Sequence, residues 1–389
     1  MDYYQDFQKK LEAKEQEQNK RTIKTYEPLD AVRVKRNDND SEYIMMASNN
    51  YLGLTHDARV QQAAMQAIQR YGTGSGGARL TSGSFPLFKE LEIAIANFKG
   101  TEQSLVFNTG YMANVGTITA LMNKHSVIIS DELNHASIID GCRLSGAHIE
   151  RYKHKDVEHA EYILKNYKSA YKMIITDGVF SMDGDIAPLD RLYELSKEYD
   201  ALLMVDDAHA TGVIGNGRGT AHHFGLTDVD VQLGTLSKAL GSVGGYVAGR
   251  KELIEYLINY SRSFIFSTAL SPADIGAALE ALRIIRNEPS VVDTLRDNTV
   301  YMAHKLQAMG IDCDDETPIF PIVVGENDRA LTLARELEEQ GIIITAIRPP
   351  TVPVGESRLR MTVTAAHSKE QLDYVAQTLH ELLVDMNIY

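Results

Sequence analysis

Six short, mostly apolar runs punctuate the first two thirds of this sequence, with helical patterns between them. They are SLVFN (104–108), SVIIS (126–130), KMIITD (172–177), ALLMVD (201–206), VDVQLGT (229–235) and GGYVAG (244–249). Strands that are apolar on both faces can leave neither face in water. Alternating with helices, they predict an α/β fold with a large, mostly parallel sheet covered on both sides. In such sheets ligands bind beyond the carboxyl ends of the strands. The polar residues at those ends are therefore the candidates for chemistry.

The flanking segments read differently. Residues 3–20 predict an exposed amphipathic helix with Tyr4, Phe7 and Leu11 on one face, an arm suited to docking on a neighbouring surface such as a second subunit. Arg21 follows, and its plainest reading is a solvated charge. YIMMASNNYLGL (43–54) predicts a short strand and a polar turn at Ser48–Asn50, and a helix is expected over 57–70. The segment 71–83 holds five glycines but lacks the strand before it and the ribose-binding acid after it that a dinucleotide site needs. It reads as a flexible loop over a substrate. After Pro272 come two long helices, 272–287 and 291–309. PIFPIVVG, a helix at 328–340, IIITAIRPP, SRLRMTVTAAH and a last helix at 369–386 then outline a small α+β unit. The expected division is an N-terminal arm (1–45), a large α/β domain (46–285) and a small C-terminal domain (286–389).

The bulk charge narrows the function. A net charge of −14 over 389 residues argues against binding nucleic acid or an anionic membrane. The two cysteines, Cys142 and Cys313, give neither a disulfide framework nor a metal spacing, which fits a reducing cytoplasm. The first 21 residues are charged throughout, unlike a signal peptide, and no apolar run is long enough to span a bilayer. A soluble cytoplasmic protein is expected.

Lys238 lies in GTLSKALGSVGGYVAG (234–249), among small, hydroxylic and apolar residues. Two readings fit this stretch: a solvent-facing lysine at a turn, or an amine consumed as an imine with a carbonyl cofactor. The strand ends favour the second. Gly110 and Tyr111 open a helix after a strand, where backbone N–H groups suit a phosphate. His135 begins a helix and can stack on an aromatic ring. Asp206 closes ALLMV, where a carboxylate can keep a pyridine nitrogen protonated. His209, three residues on, and Ser181, in DGVFSMDGD, can bond a ring oxygen, and Thr235 adds a hydroxyl. A metal pair at Asp206 and His209 is the weaker reading, because no third ligand of suitable type lies nearby. Phosphate pocket, stacking ring, ring-nitrogen carboxylate and imine-forming lysine, in chain order, together specify pyridoxal 5′-phosphate.

The stretches SNNYLGL, SDELNHASIIDG, TDGVFSMDGD, MVDDAHATGVIGNGRG, GTLSKALGSVGGYVAG and FIFSTALSPA resemble the α-oxoamine synthases, which are fold-type I pyridoxal-phosphate transferases. The resemblance covers essentially the whole chain. It implies decarboxylative joining of a small amino acid to an acyl thioester by a homodimer. It gives Lys238 the imine, Asp206 the pyridinium, His135 the ring face, and His209 and Ser181 the ring oxygen. Gly110, Tyr111 and Thr235 fall to cofactor binding, and Thr268 to a phosphate across a dimer interface. Asn49, Arg21, Thr351 and Arg360 match substrate-contacting positions, and Arg348 would steer an acyl carboxylate. The segment 346–367 is most similar to members that use L-alanine and a pimeloyl thioester, carried by coenzyme A or a carrier protein. SDELNHASIIDG and TDGVFSMDGD are equally similar to a glycine-using relative, 2-amino-3-ketobutyrate–CoA ligase. A non-catalytic subunit or regulator of the same fold is the non-enzyme reading. Some relatives carry glutamate where this chain has Asp177.

Overall fold

The computed structural model describes residues 2–37, 40–167 and 171–388. The chain forms two compact units, one from Asn49 to Asp297, the other from residues up to Ser48 together with those from Asn298 onward.

The larger unit is built on a seven-stranded sheet. Its strands are β1 (Gln103–Phe107), β2 (Ser126–Asp131), β3 (His148–Tyr152), β4 (Tyr171–Asp177), β5 (Ala201–Asp206), β6 (Val231–Thr235) and β7 (Gly245–Gly249). Their spatial order is β1-β7-β6-β5-β4-β2-β3. The ladder from β6 to β3 is parallel, and β7 runs antiparallel between β6 and β1. Alternate residues feed opposite faces, as a period of two requires. Ile128, Met173, Ile175 and Met204 join one apolar cluster. Val127, Ile129, Ile174, Leu203 and Val205 join another. Helices cover both clusters, the physical reason these strands read as apolar throughout. The edge strand β3, sequence HIERY, is half exposed and carries none of that signal, so the sequence reading missed it.

Three helices frame the strand ends: α1 (Pro86–Lys99), α2 (Gly110–Leu121) and α3 (Ala136–Ser145). Proline at the first position of α1 fits a site whose N–H would have no helical partner. Thr109 caps α2 by accepting from the Met112 N–H.

The last residue of α1, Lys99, reaches the loop that follows β5. Its Nζ lies 2.6 Å from Asp207 Oδ2, and neither side chain is exposed to solvent. It also donates to the Arg218 carbonyl. The other oxygen of Asp207 accepts from Thr220 N at 3.1 Å and Thr220 Oγ1 at 2.6 Å. One buried ion pair thus ties α1 to the 207–220 loop.

The smaller unit is discontinuous in sequence. Strands Tyr26–Pro28, Arg33–Arg36 and Glu42–Met45 form an antiparallel meander, and the third pairs in parallel with Ile342–Ile343. A second sheet joins Ile319–Gly325, Ser357–Thr362 and Thr345–Ile347. Its core includes Met46, Met302, Phe320, Leu359 and Leu379. The segment expected to stand apart as an arm over 1–45 therefore belongs with the C-terminal residues. The junction expected near 285 lies at Asp297, inside the helix Ser290–Ala308. The cause is the pairing of residues 44–45 with 342–343, which no local pattern announces. The N-terminal helix spans Tyr3–Gln16 and buries none of its residues, leaving Tyr4, Phe7 and Leu11 exposed.

Removing one partner of a buried ion pair leaves an uncompensated charge, at a cost of about 3–5 kcal/mol. Lys99→Met should lose that much unfolding free energy in urea titration, whereas Lys197→Met, at an exposed pair with Asp228, should lose at most about 1 kcal/mol.

Candidate active site

The carboxyl ends of β4, β5 and β6 deliver the polar residues of the larger unit. Asp177 and Asp206 end adjacent strands and face each other in register. Asp206 is only 3% exposed. Its Oδ2 accepts from Asn114 Nδ2 at 2.6 Å and its Oδ1 from the Ala208 N–H at 2.9 Å. Asn114 lies one turn into α2. Its second amide hydrogen goes to Ser137 Oγ at 2.9 Å. Ser137 Oγ lies 2.7 Å from His135 Nδ1, which also caps the Ser137 N–H at 3.2 Å. Since Nδ1 accepts, the imidazole hydrogen sits on Nε2. Burial holds the His135 pKa below its usual value, and Lys238 acts in the same direction while Asp206 opposes them. His135 is thus a neutral ring presenting an N–H.

Its backbone is equally fixed. The His135 N–H donates to Asp177 Oδ2 at 2.7 Å. Asn134 Nδ2 bonds the Ile175 carbonyl at 2.9 Å, and Asn134 Oδ1 accepts from the Asp177 N–H at 2.8 Å. Burial, and next the Asp206 carboxylate, hold the Asp177 pKa well above the ordinary carboxylate range.

Lys238 follows β6 in the loop between β6 and β7. Its Nζ lies 2.9 Å from His209 Nε2, and His209 Nδ1 lies 2.7 Å from the Tyr51 hydroxyl. Tyr51 in turn donates to Asn49 Oδ1 at 3.2 Å. Beside them, Thr235 Oγ1 lies 2.7 Å from Ser237 Oγ and accepts the Ser237 N–H at 3.2 Å. β7 passes directly under the start of α2, where a Cβ added to Gly245 would stand 2.7 Å from Gly110 N. Only glycine permits that approach, which sets Thr235 against the Gly110–Tyr111 turn. The Tyr111 side chain points elsewhere, its hydroxyl bonding Asp140. Thr268 is held by its own chain next to this turn, since its carbonyl accepts from Asn108 Nδ2 at 2.6 Å.

Ser181 sits in a small hairpin closed by the Val179–Ile186 bridge. A histidine absent from the sequence reading pins that hairpin. His154 Nδ1 lies 3.0 Å from Asp131 Oδ1 and its Nε2 lies 2.8 Å from Asp185 Oδ2. The ring also packs edge-on against Phe180 at 4.4 Å. Burial opposes its charge, but the bonds to Asp131 and Asp185 outweigh it and push the pKa up to about 9.

The donor set fits a phosphorylated pyridine aldehyde. A helix N-terminus with a nearby hydroxyl suits the phosphate. A buried carboxylate suits a protonated ring nitrogen, and a lysine amine suits an aldehyde. Asn114 Oδ1, buried among these groups, has no hydrogen-bond partner among the described residues. Asn114, Ser137 and Tyr51 escaped the sequence reading; the one signal for Asn114 is its position four residues after Gly110 on the same helix face. No cluster of metal-ligating side chains occurs among the described residues.

The remaining candidates lie in the smaller unit. Arg348 donates to the Gln18 carbonyl, and its pKa is lowered by burial and by the nearby charge of Arg21. The structure thus brings these two cations together. Thr351 is exposed and bonds the Arg348 carbonyl through its N–H at 3.0 Å. Arg360 lies buried on Ser357–Thr362, opposite Thr345 and Pro321. Asn49 alone of the expected substrate contacts belongs to the larger unit.

The His154 contribution carries a sign. A pKa of about 9 in the fold against about 6.5 unfolded gives stabilisation that is complete below pH 6.5 and is lost as pH rises through 9. The unfolding free energy of the protein should exceed that of His154→Gln by up to about 3 kcal/mol at pH 6, and this excess should vanish by pH 10.

Comparison with known proteins gives a consistent answer. Residues 41–379 match the family described as aminotransferase class I and II. An 8-amino-7-oxononanoate synthase of Thermoanaerobacter pseudethanolicus is 49% identical over 89% of each chain. Another, from Lysinibacillus sphaericus, is 49% identical over 90% of this chain and 91% of its own. Among solved structures, serine palmitoyltransferase from S. paucimobilis with bound PLP–myriocin aldimine superposes with a TM-score of 0.94 at 29% identity, over 100% of this chain and 99% of that one. An 8-amino-7-oxononanoate synthase from Francisella tularensis gives 0.77 at 29% identity, over 89% of this chain and 99% of that one. With this extent of identity and the strand-end constellation in place, the chain belongs to the aminotransferase class I and II family and, within it, to the 8-amino-7-oxononanoate synthases.

Proposed function

We propose that this protein condenses L-alanine with a pimeloyl thioester to give 8-amino-7-oxononanoate, carbon dioxide and the free carrier thiol, a step of biotin synthesis. The observation that carries the reading is the linked set Lys238–His209 and Asp206–Asn114–Ser137–His135, in a chain 49% identical to 8-amino-7-oxononanoate synthases.

Pyridoxal phosphate, when bound, supplies an aldehyde for the Lys238 amine and a protonated ring that takes up the electron pair released at the alanine Cα. Asp206 keeps the ring nitrogen protonated, and Asn114 aims that carboxylate. The first amides of α2, at Gly110 and Tyr111, and the Thr235 hydroxyl hold the phosphate. His209 and Ser181 would bond the ring oxygen. Lys238 takes the Cα proton and returns it at the end. His135 would lie against the bound ring, and its Nε2–H would stabilise the negative charge that grows on the thioester carbonyl on attack. Its lowered pKa suits this work, since a neutral N–H donor keeps its proton through the cycle.

Arg360, Thr351 and Asn49 serve the amino acid and its carboxylate, and the paired cations Arg21 and Arg348 meet the far carboxylate of the pimeloyl chain. The working form is a cytoplasmic homodimer, in which Thr268 reaches the partner's phosphate and the exposed stripe of Tyr4, Phe7 and Leu11 finds a surface to cover it. Among the described residues no helix is long and apolar enough to cross a membrane.

Product analysis decides the reading. Purified protein should release carbon dioxide and the amino ketone from L-alanine with a pimeloyl thioester; turnover of glycine with an acetyl thioester in its place would overturn the assignment. Lys238→Ala should abolish both turnover and the visible absorbance of the bound cofactor. Arg348→Ala removes one charge-assisted contact, so the KM for the pimeloyl thioester should rise about ten- to a hundredfold while that for alanine holds.

A further inference from the structure

The Tyr51 hydroxyl has no part in the roles described above, yet it stands one histidine away from the reactive amine. Tyr51 is fully buried. Its turn lies directly against the Lys238 loop: Gly241 has φ of 61°, and a Cβ added there would stand 2.8 Å from Thr55 N. The turn that carries Tyr51 is thus packed closely on the loop that carries Lys238.

A phenol carries one hydrogen. Tyr51 donates it to Asn49 Oδ1, an acceptor that can offer nothing back. Placing that hydrogen on Asn49 leaves the 2.7 Å contact with His209 to a hydrogen on Nδ1, with the Tyr51 oxygen accepting. A neutral imidazole has a single N–H, so His209 Nε2 presents its lone pair to Lys238 Nζ, 2.9 Å away.

We infer that Tyr51 is a positioning residue that acts through His209, holding its ring as the Nδ1–H tautomer so that Nε2 accepts a proton from Lys238. In that transfer an Nζ–H bond breaks and an Nε2–H bond forms. The electron pair left on Nζ makes the amine a nucleophile, and the positive charge passes to the imidazole, whose Nδ1–H still rests on Tyr51. Asn49 belongs to the same device, because it claims the Tyr51 hydrogen. Tyr51 thereby links an expected substrate contact to the reactive lysine. The catalytic consequence rests on Lys238 being the cofactor-binding amine, whereas the tautomer is a property of the chain without cofactor.

The test uses full-length protein with ¹⁵N-labelled histidine, free of pyridoxal phosphate, with His209→Asn identifying the resonances. In the unsubstituted protein His209 Nε2 should show the shift of an unprotonated ring nitrogen at neutral pH. Tyr51→Phe removes the acceptor for Nδ1–H, and Asn49→Ala releases the Tyr51 hydrogen toward Nδ1. Each should move the proton to Nε2. Both variants should also take up pyridoxal phosphate roughly tenfold more slowly at neutral pH, with the pH dependence of uptake displaced upward. Circular dichroism establishes that each is folded, and Asn49→Ala alone suffices if Tyr51→Phe is not. An Nε2 that is already protonated in the unsubstituted protein, or tautomer and uptake profiles unchanged in the folded variants, would overturn the inference. A tautomer shift without any cofactor uptake by the unsubstituted protein would uphold the hold of Tyr51 on His209 and overturn the assignment of Lys238.

Discussion

Two carboxylates placed side by side in a buried sheet cannot both be charged cheaply, and the larger unit is arranged around how Asp177 and Asp206 resolve this. Asp206 receives two N–H donors, from Asn114 and from the Ala208 backbone. Asp177 receives the His135 backbone N–H and sits deep beside its neighbour, with its pKa well above the usual range. Asp206 is thereby the better supplied with donors, at a defined strand end. From there the hydrogen bonds run outward without ambiguity: Asn114 to Ser137, Ser137 to His135, and so to a neutral ring with its hydrogen on Nε2. A glutamate at 177 would push its carboxyl about one methylene further and alter the contact that fixes His135.

A second layer keeps this geometry in place. Lys99 and Asp207 hold the loop that carries His209, and His154 clamps the hairpin that carries Ser181. Both devices use charge, but in different surroundings. The Lys99 pair is dry, so its value lies in what breaking it would cost. His154 keeps some solvent access and responds to pH in the alkaline range. The two strand-end loops thus have different sensitivities although they serve neighbouring contacts.

Much of this was legible in the sequence. The apolar runs announced the central strands because those strands are covered on both faces, and their polar ends pointed to Asp206, His209 and Lys238. The half-exposed edge strand HIERY lacked that signature. Asn114 and Tyr51 were hidden for another reason. Each is an ordinary residue in an ordinary element, and its role comes from a partner far off in sequence, Asp206 for the one and His209 for the other. The same holds for His154, whose two carboxylates lie 23 and 31 residues away. That Arg21 lies near enough to Arg348 for its charge to be felt there was out of reach of any local pattern.

The discontinuous smaller unit has a consequence for how the protein is made. Ile44 pairs with Ile342, so the first strands leave the ribosome long before their partner exists. At roughly 5–20 residues per second the wait is about 15–60 s. During that time the meander has no sheet partner to cover its third strand, while the larger unit, continuous in sequence, can complete its sheet. The chain is thus disposed to assemble from the inside out, and its two ends close last. A strand edge left unpaired that long is an aggregation hazard until its partner arrives.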